Sequence, residues 1–315
     1  MAKKIGRRDF IKKSAKIGIS TVLGSSVFYQ VIGHYGCAPG EKVDLAVVTG
    51  SDYSENTIKA VELLGGIEKF VPRNSKVAIL PNTQSRHPGT YTKPEIVRAV
   101  IKMCKEAGAE EVNCLSWLTR KHWESTGLAQ AVEEAGANLK LIDSSDESLF
   151  KPIPIPNGRE LKEAQIMKEL YNNDVFINMP ITKDHAGNKF TGTMKNMMGL
   201  NYRVNNRTFH KEDWQTNRSS IEFLDQCIAD LNTIIEPTLC IVDAAEFITT
   251  NGPFGPGNLI KPQKIVAGAD RVAIDAYCTT LWGMEPRDIV MINRGYEHKL
   301  GEIDLDKVKI KEVKA

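Results

Sequence analysis

Residues 175–199 read VFINMPITKDHAGNKFTGTMKNMMG: a strand-forming run, Val175–Met179, then a loop that sets Lys183, His185, Lys189 and Lys195 against one acid, Asp184. An almost wholly apolar strand suits a position covered on both faces, as in a parallel sheet. Two other runs share that character, Lys76–Leu80 (KVAIL) and Leu239–Val242 (LCIV). The first leads into Pro81-Asn82 and residues 83–94, TQSRHPGTYTKP; the second leads into Asp243 and residues 245–257, AEFITTNGPFGPG. In open parallel sheets ligands bind beyond the carboxyl ends of the strands, where loops and helix N-termini converge. The three exits are therefore expected to form one site.

Working outward, apolar runs alternate with amphipathic stretches from Val43 onward, the pattern of crossover units. Further strands are expected near 44–49, 111–115, 139–142 and 264–267. Helices are expected over 94–107, closed by Gly108; over about 219–235, with Ile221, Leu224, Ile228, Leu231 and Ile235 on one face; and over 270–282, opened by Asp270. The fold class is α/β, a mainly parallel sheet or sheets with flanking helices. At 151–158, KPIPIPNG spaces prolines two apart and suits neither a helix nor an interior strand. It either joins two lobes or edges one sheet, and the mixed segments on both sides favour two lobes.

The chemistry is expected in the loops. Thr191-Gly192-Thr193 can open a short helix whose free N–H groups, with Lys195, cradle a carboxylate or phosphate. Lys183, Asn82, Asn196, Gly252 and Gly255 are further candidates for holding ligand, and Lys189 reads as a solvated surface lysine. His185 is a candidate general acid or base, or a loop hydrogen-bonder, since an imidazole titrates near working pH. Asp243 can orient His185, bind a metal or cap a turn; one His and one Asp do not make a metal site. His87 and His210 are secondary candidates with structural readings. The NGPFGPG stretch, residues 251–257, is stiff, turned and open to close approach. No Walker loop, dinucleotide fingerprint, nucleophile elbow or His-Glu-x-x-His helix occurs.

The order of these segments resembles the domain of unknown function 362 family over roughly Val43 to Ile289. The resemblance is carried by Leu80-Pro81-Asn82, the helix opened at Thr92-Lys93-Pro94, residues 182–199, IADL (228–231), VDA (242–244), NGPFGPG and GADRVAIDAY (268–277). It implies that Lys183, His185, Thr191, Gly192, Lys195, Asn196, Asp243, Gly252, Pro253, Asp270 and Asp275 stand at the family's recurring positions. Many members carry a ferredoxin-like cysteine cluster, which this chain lacks, and Leu80 replaces the usual lysine before Pro-Asn. The family brings no reaction with it.

Charge separates the N-terminus from the rest. The chain has 315 residues and formal net charge +2, but residues 1–37 hold seven of its 41 basic groups and one of its 39 acids, which leaves the remainder at −4. A mildly acidic body without a Lys/Arg-dense block lacks the footprint for binding nucleic acid. Composition, 42% hydrophobic and 25% charged, excludes disorder, collagen and coiled coil. Residues 1–37 are expected to be a targeting segment: Arg7-Arg8-Asp9-Phe10-Ile11-Lys12 resembles the twin-arginine export signal, and uncharged Ile17–Ile32 is short for a spanning helix. That route carries folded proteins and implies a cofactor or an assembly completed beforehand, with the translocation machinery as a partner. Cleavage, lipidation at Cys37 and retention as a membrane anchor stay open. The other cysteines, Cys104, Cys114, Cys227, Cys240 and Cys278, show no iron-sulfur spacing and read as buried thiols.

The expectation is an exported body, residues 43–315, that binds and transforms a small anionic molecule through His185, Lys195 and Asp243. Its alternative is a non-catalytic solute binder or a partner subunit of an exported redox complex.

Overall fold

In the computed structural model, which describes residues 42–315, the apolar runs become the centre of one mixed sheet. The strands in chain order are β1 (Leu45–Thr49), β2 (Lys76–Pro81), β3 (Glu111–Ser116), β4 (Asn138–Leu141), β5 (Phe150–Pro154), β6 (Glu163–Met167), β7 (Val175–Met179), β8 (Leu239–Ala244), β9 (Phe247–Ile248), β10 (Leu259–Ile260), β11 (Lys264–Gly268) and β12 (Ile310–Lys314). Eight of them form a sheet in the order β12-β1-β11-β8-β7-β2-β3-β4. All its pairings are parallel except those of β11, which runs antiparallel to both β1 and β8. This is the expected α/β, mainly parallel architecture.

Helices cover both faces. They are α1 (Tyr53–Leu63), α2 (Pro94–Glu106), α3 (Arg120–Glu124), α4 (Leu128–Glu134), α5 (Thr193–Asn196), α6 (Arg203–Phe209), α7 (Arg218–Asn232), α8 (Arg271–Thr280) and α9 (Val290–Glu297). Strand side chains alternate between faces, and the core divides accordingly. Val77, Ile79, Ile177 and Ile241 pack with Ala60 of α1, Ile96, Val97 and Val100 of α2, and Val132 of α4. Ala78, Leu80, Phe176, Cys240 and Val242 pack with Met194 of α5, Leu224 and Ile228 of α7, and Ile274 of α8. The five described cysteines are buried and unpaired, and burial pushes the Cys104 thiol up to about 12.

The division into two lobes near 151–158 is corrected. β2 bonds to β7 and β1 lies between β11 and β12, so strands from before and after that stretch interleave in one sheet, and Glu41–Ala315 is a single compact unit. The proline-spaced segment is β5, paired only with β6 in a separate hairpin. Proline cannot donate to a ladder and is confined to such edges. Phe150, Ala164, Ile166 and Met167 of this hairpin join the core beneath α7, and the Asp230 carboxylate accepts from the N–H of Glu160 (2.7 Å) and Leu161 (2.9 Å), fixing the turn between the two strands. The segment expected to target the chain, residues 1–37 with Cys37, lies outside the described residues.

Candidate functional site

Strand parity decides which side chains reach the 182–199 loop. Asn178 alternates in step with Phe176, and Asn82 in step with Ala78 and Leu80, so both face α5. A chain of amides results. Asn178 Nδ2 donates to the Thr193 carbonyl (2.9 Å); Asn196 Nδ2 donates to Asn178 Oδ1 (2.8 Å) and the Leu80 carbonyl (3.0 Å); Asn82 Nδ2 donates to Asn196 Oδ1 (3.1 Å). Lys183 completes it, its Nζ donating to Asn82 Oδ1 (3.3 Å) and the Thr90 carbonyl (2.6 Å). Lys183 is fully buried, and burial, aided by the Lys195 charge, lowers its pKa to about 7. It stands behind the wall of the cavity described below and is not part of its lining.

The expected anion cradle at the start of α5 is already filled. The Asp275 carboxylate of α8 accepts from Thr193 N (2.6 Å), Thr193 Oγ1 (2.9 Å) and Met194 N (3.0 Å). A buried carboxylate here satisfies the free N–H groups and complements the helix dipole. Burial nevertheless pushes its pKa up to about 7. Gly192 is therefore a packing glycine: a Cβ there would lie 2.3 Å from Asp275 Oδ1. It admits the protein's own anion to the helix end, in place of the ligand contact expected of it.

Asp243 is corrected for a related reason. It alternates in step with Leu239 and Ile241, onto the α1/α2 face. There its Oδ2 accepts from Lys93 N (2.9 Å), with Lys93 Nζ at 3.9 Å, and its Oδ1 accepts from Ala245 N (3.0 Å). Burial raises its pKa, with Lys93 opposing. The carboxylate anchors the start of α2 and orients no histidine. Gly252 packs on backbone, since a Cβ would lie 1.8 Å from the Asp184 carbonyl oxygen; its N–H donates to Asp184 Oδ2 (2.7 Å), and its carbonyl accepts from Ala186 N (3.2 Å). It braces the turn carrying His185. Gly255, at φ +69°, lies farther out beside Thr90 and His87.

His185, Thr191, Lys195, Asn196 and Asn82 do come together, in the wall of a cavity of about 440 Å³ at the strand exits. Leu80, Trp117, Leu118, Met198 and Phe254 give it an apolar side, and α6 with the turn after it adds Arg203, Asn206, Arg207 and His210. Among the described residues, no Asp or Glu lines it. Lys195 is almost wholly buried and its Nζ donates to Asn188 Oδ1 (3.3 Å), while Asn188 Nδ2 donates to Asp225. Burial lowers the Lys195 pKa and Asp225 opposes it; burial likewise raises that of Asp225. Thr191 Oγ1 is buried with no hydrogen-bond partner. Lys189 is exposed.

The two histidines of the wall share one arrangement. Each Nδ1 lies against a backbone carbonyl, that of Ala186 for His185 (2.8 Å) and that of Asn206 for His210 (2.7 Å). A carbonyl only accepts, so in the neutral ring Nδ1 carries the proton and Nε2 the lone pair. Both rings pack on Trp214, with centroids 5.1 Å and 4.8 Å away, and their own centroids are 6.4 Å apart. Burial, reinforced by Lys195, holds the His185 pKa well below its ordinary value and lowers that of His210 to about 4. At neutral pH both are uncharged bases. Among the described residues, no group of three or more His, Cys, Asp or Glu is placed to hold a metal ion.

Sequence reasoning missed Asp225 and the α6 cations. Asp225 had a signal: it sits four residues after Ile221 and three before Ile228, on the apolar stripe of α7, where an unpaired carboxylate is costly. Arg203 and Arg207 had only their four-residue spacing, and α6 is too short for a periodic signature.

Comparison with known proteins places these residues in context. A thylakoid-associated protein of Synechocystis sp. is 26% identical over 238 residues, covering 73% of this chain and 70% of that protein. A structural similarity of TM-score 0.42 at 13% identity relates 65% of this chain to 52% of the lactate racemase apoprotein from Thermoanaerobacterium thermosaccharolyticum, about half of that protein's length. Residues 77–280, more than half of the chain and a span that holds the whole cavity wall, match the family described as Domain of unknown function (DUF362), and the protein belongs to that family.

Proposed function

We propose that this protein binds a small organic anion in the cavity at the strand exits and moves a proton on it. Lys195, Arg203 and Arg207 supply the positive charge, Asn82, Asn196 and Thr191 supply hydrogen bonds, and His185 and His210 supply lone pairs for general-base work. The observation that carries the reading is the wall itself: Lys195, Arg203 and Arg207 with two imidazoles whose Nδ1 atoms lie against backbone carbonyls, and no carboxylate among the described residues that line it. A cavity of about 440 Å³ falls within the usual size of small-molecule sites. The twin-arginine-like N-terminus makes export of the folded body part of the same proposal, as a periplasmic or membrane-attached protein, with a cofactor or assembly acquired first. Replacing Arg7 and Arg8 together by lysine is expected to leave the protein in the cytoplasmic fraction; unchanged export would remove that part.

The test of binding is thermal denaturation of the purified full chain with a panel of small carboxylates and phosphates, in wild type and Lys195→Met. Stabilisation by at least one class, reduced in the variant, is expected. Equal stabilisation of both proteins, or none of either, overturns the assignment. Deuterium incorporation into the stabilising anion in D2O, followed by NMR, separates transformation from mere binding: no exchange would favour the non-catalytic alternative, a solute binder or partner subunit.

A further inference from the structure

Beyond Phe254 the cavity has a neighbour. A second hollow of about 390 Å³ shares Gln84 and Phe254 with the first, and its wall carries Arg86, His87, Lys121 and His122. These come from two strand exits, the loop after β2 and the α3 segment after β3. Among the described residues, no Asp or Glu lines this hollow either, and neither Arg86 nor Lys121 makes an ion pair. Two basic compartments thus meet at one aromatic ring.

Phe254 is 54% exposed, although its backbone is tightly held. Ser85 Oγ donates to the Phe254 carbonyl (2.7 Å), Gly255 N donates to the Asn251 carbonyl (2.9 Å), and Asn251 Nδ2 donates to the Pro256 carbonyl (3.0 Å). A phenyl ring left half in water on a fixed loop forgoes part of the free energy that burying its apolar surface would gain. Seated where the two hollows meet, it offers a flat apolar face to whatever spans them.

Building on the anion-binding reading of the inner cavity, we propose that the ligand is a two-ended organic anion. One acidic group lies against Lys195, Arg203 and Arg207, a flat apolar middle rests on Phe254, and a second acidic group reaches Arg86 and Lys121. Carboxylate and phosphate share the chemistry that these groups recognise.

The experiment is isothermal titration calorimetry on the full chain with terephthalate and biphenyl-4,4′-dicarboxylate, each against its monoacid, and with the corresponding aryl phosphonates. At least one diacid is expected to bind ten-fold or more tightly than its monoacid. In the variant Arg86→Ala/Lys121→Ala that advantage should fall to less than three-fold, and Phe254→Ala should weaken the biphenyl diacid at least five-fold. Diacids and monoacids that bind alike, with Arg86→Ala/Lys121→Ala matching wild type, would overturn the two-ended ligand and leave the inner site standing. Absence of any binding, or binding indifferent to Arg203→Ala/Arg207→Ala, would instead strike the inner site. Preference for the phosphonates over the carboxylates would name the acidic group.

Discussion

At the N-terminus of α5 the backbone N–H groups face the protein's own Asp275, whereas two residues along the same helix Lys195 enters a wall that holds no carboxylate among the described residues. The start of α2 repeats the first arrangement, with Asp243 accepting from Lys93 N. At these two helix starts the fold supplies an internal anion; the cavity cations have none beside them among the described lining residues, and Asp225 reaches Lys195 only through Asn188. These two helix ends therefore organise the site, and side-chain cations are left to attract the ligand.

The largest expected effect tests the filled helix end. Asp275→Ala leaves the buried Thr193 N and Met194 N without their acceptor, while Thr193 Oγ1 keeps the Arg271 carbonyl, so urea denaturation should show a loss of about 4 kcal/mol. Restoration of most of that loss by phosphate would mean that an outside anion can take the place of Asp275, and the contrast between the two regions would fail.

Next in size is acid sensitivity from the histidine pair. The His210 pKa is lowered to about 4 in the folded protein, so between that pH and about 6.5 the unfolded chain binds more protons. Stability consequently rises with pH across this window and is lost as pH falls through it, by up to about 3 kcal/mol. His210→Asn, which can still donate to the Asn206 carbonyl, should flatten the dependence of urea midpoints on pH over that range. An unchanged slope would show that the ring is not held neutral by its surroundings.

Smaller effects distinguish the cations. Lys195→Gln should weaken the stabilising anion about 30-fold by calorimetry, close to 2 kcal/mol. Arg203→Ala and Arg207→Ala, on an exposed helix face, should each weaken it only a few-fold, with the difference shrinking as salt is added. Arginine variants costing more than Lys195→Gln would move the centre of recognition from the buried lysine to the rim.

All seven strands expected from apolar runs exist, as do the three helices, because burial on both faces leaves a signature in composition and burial on one face leaves it in period. Two elements that were not expected lack both: β12 is a half-exposed edge with Lys311, Glu312 and Lys314 among its five residues, and β5 carries two prolines. The short helix expected after Gly192 exists as α5, a single turn held by Asp275 from another helix. In the site, the local cluster His185, Thr191, Lys195 and Asn196 was legible because sequence neighbours in one loop stay spatial neighbours. Asp243 was misread because its direction depends on strand parity, which separates it from α5 by the thickness of the sheet. Gly192 and Gly252 were misread because what crowds them, Asp275 and the Asp184 carbonyl, lies far away in the chain.

The asparagine chain from Asn178 through Asn196 to Asn82 couples two strand ends to α5 with groups that neither gain nor lose protons across the range in which His185 and His210 do. Acid or base can thus change the charge inside the chamber while its frame keeps the same hydrogen bonds.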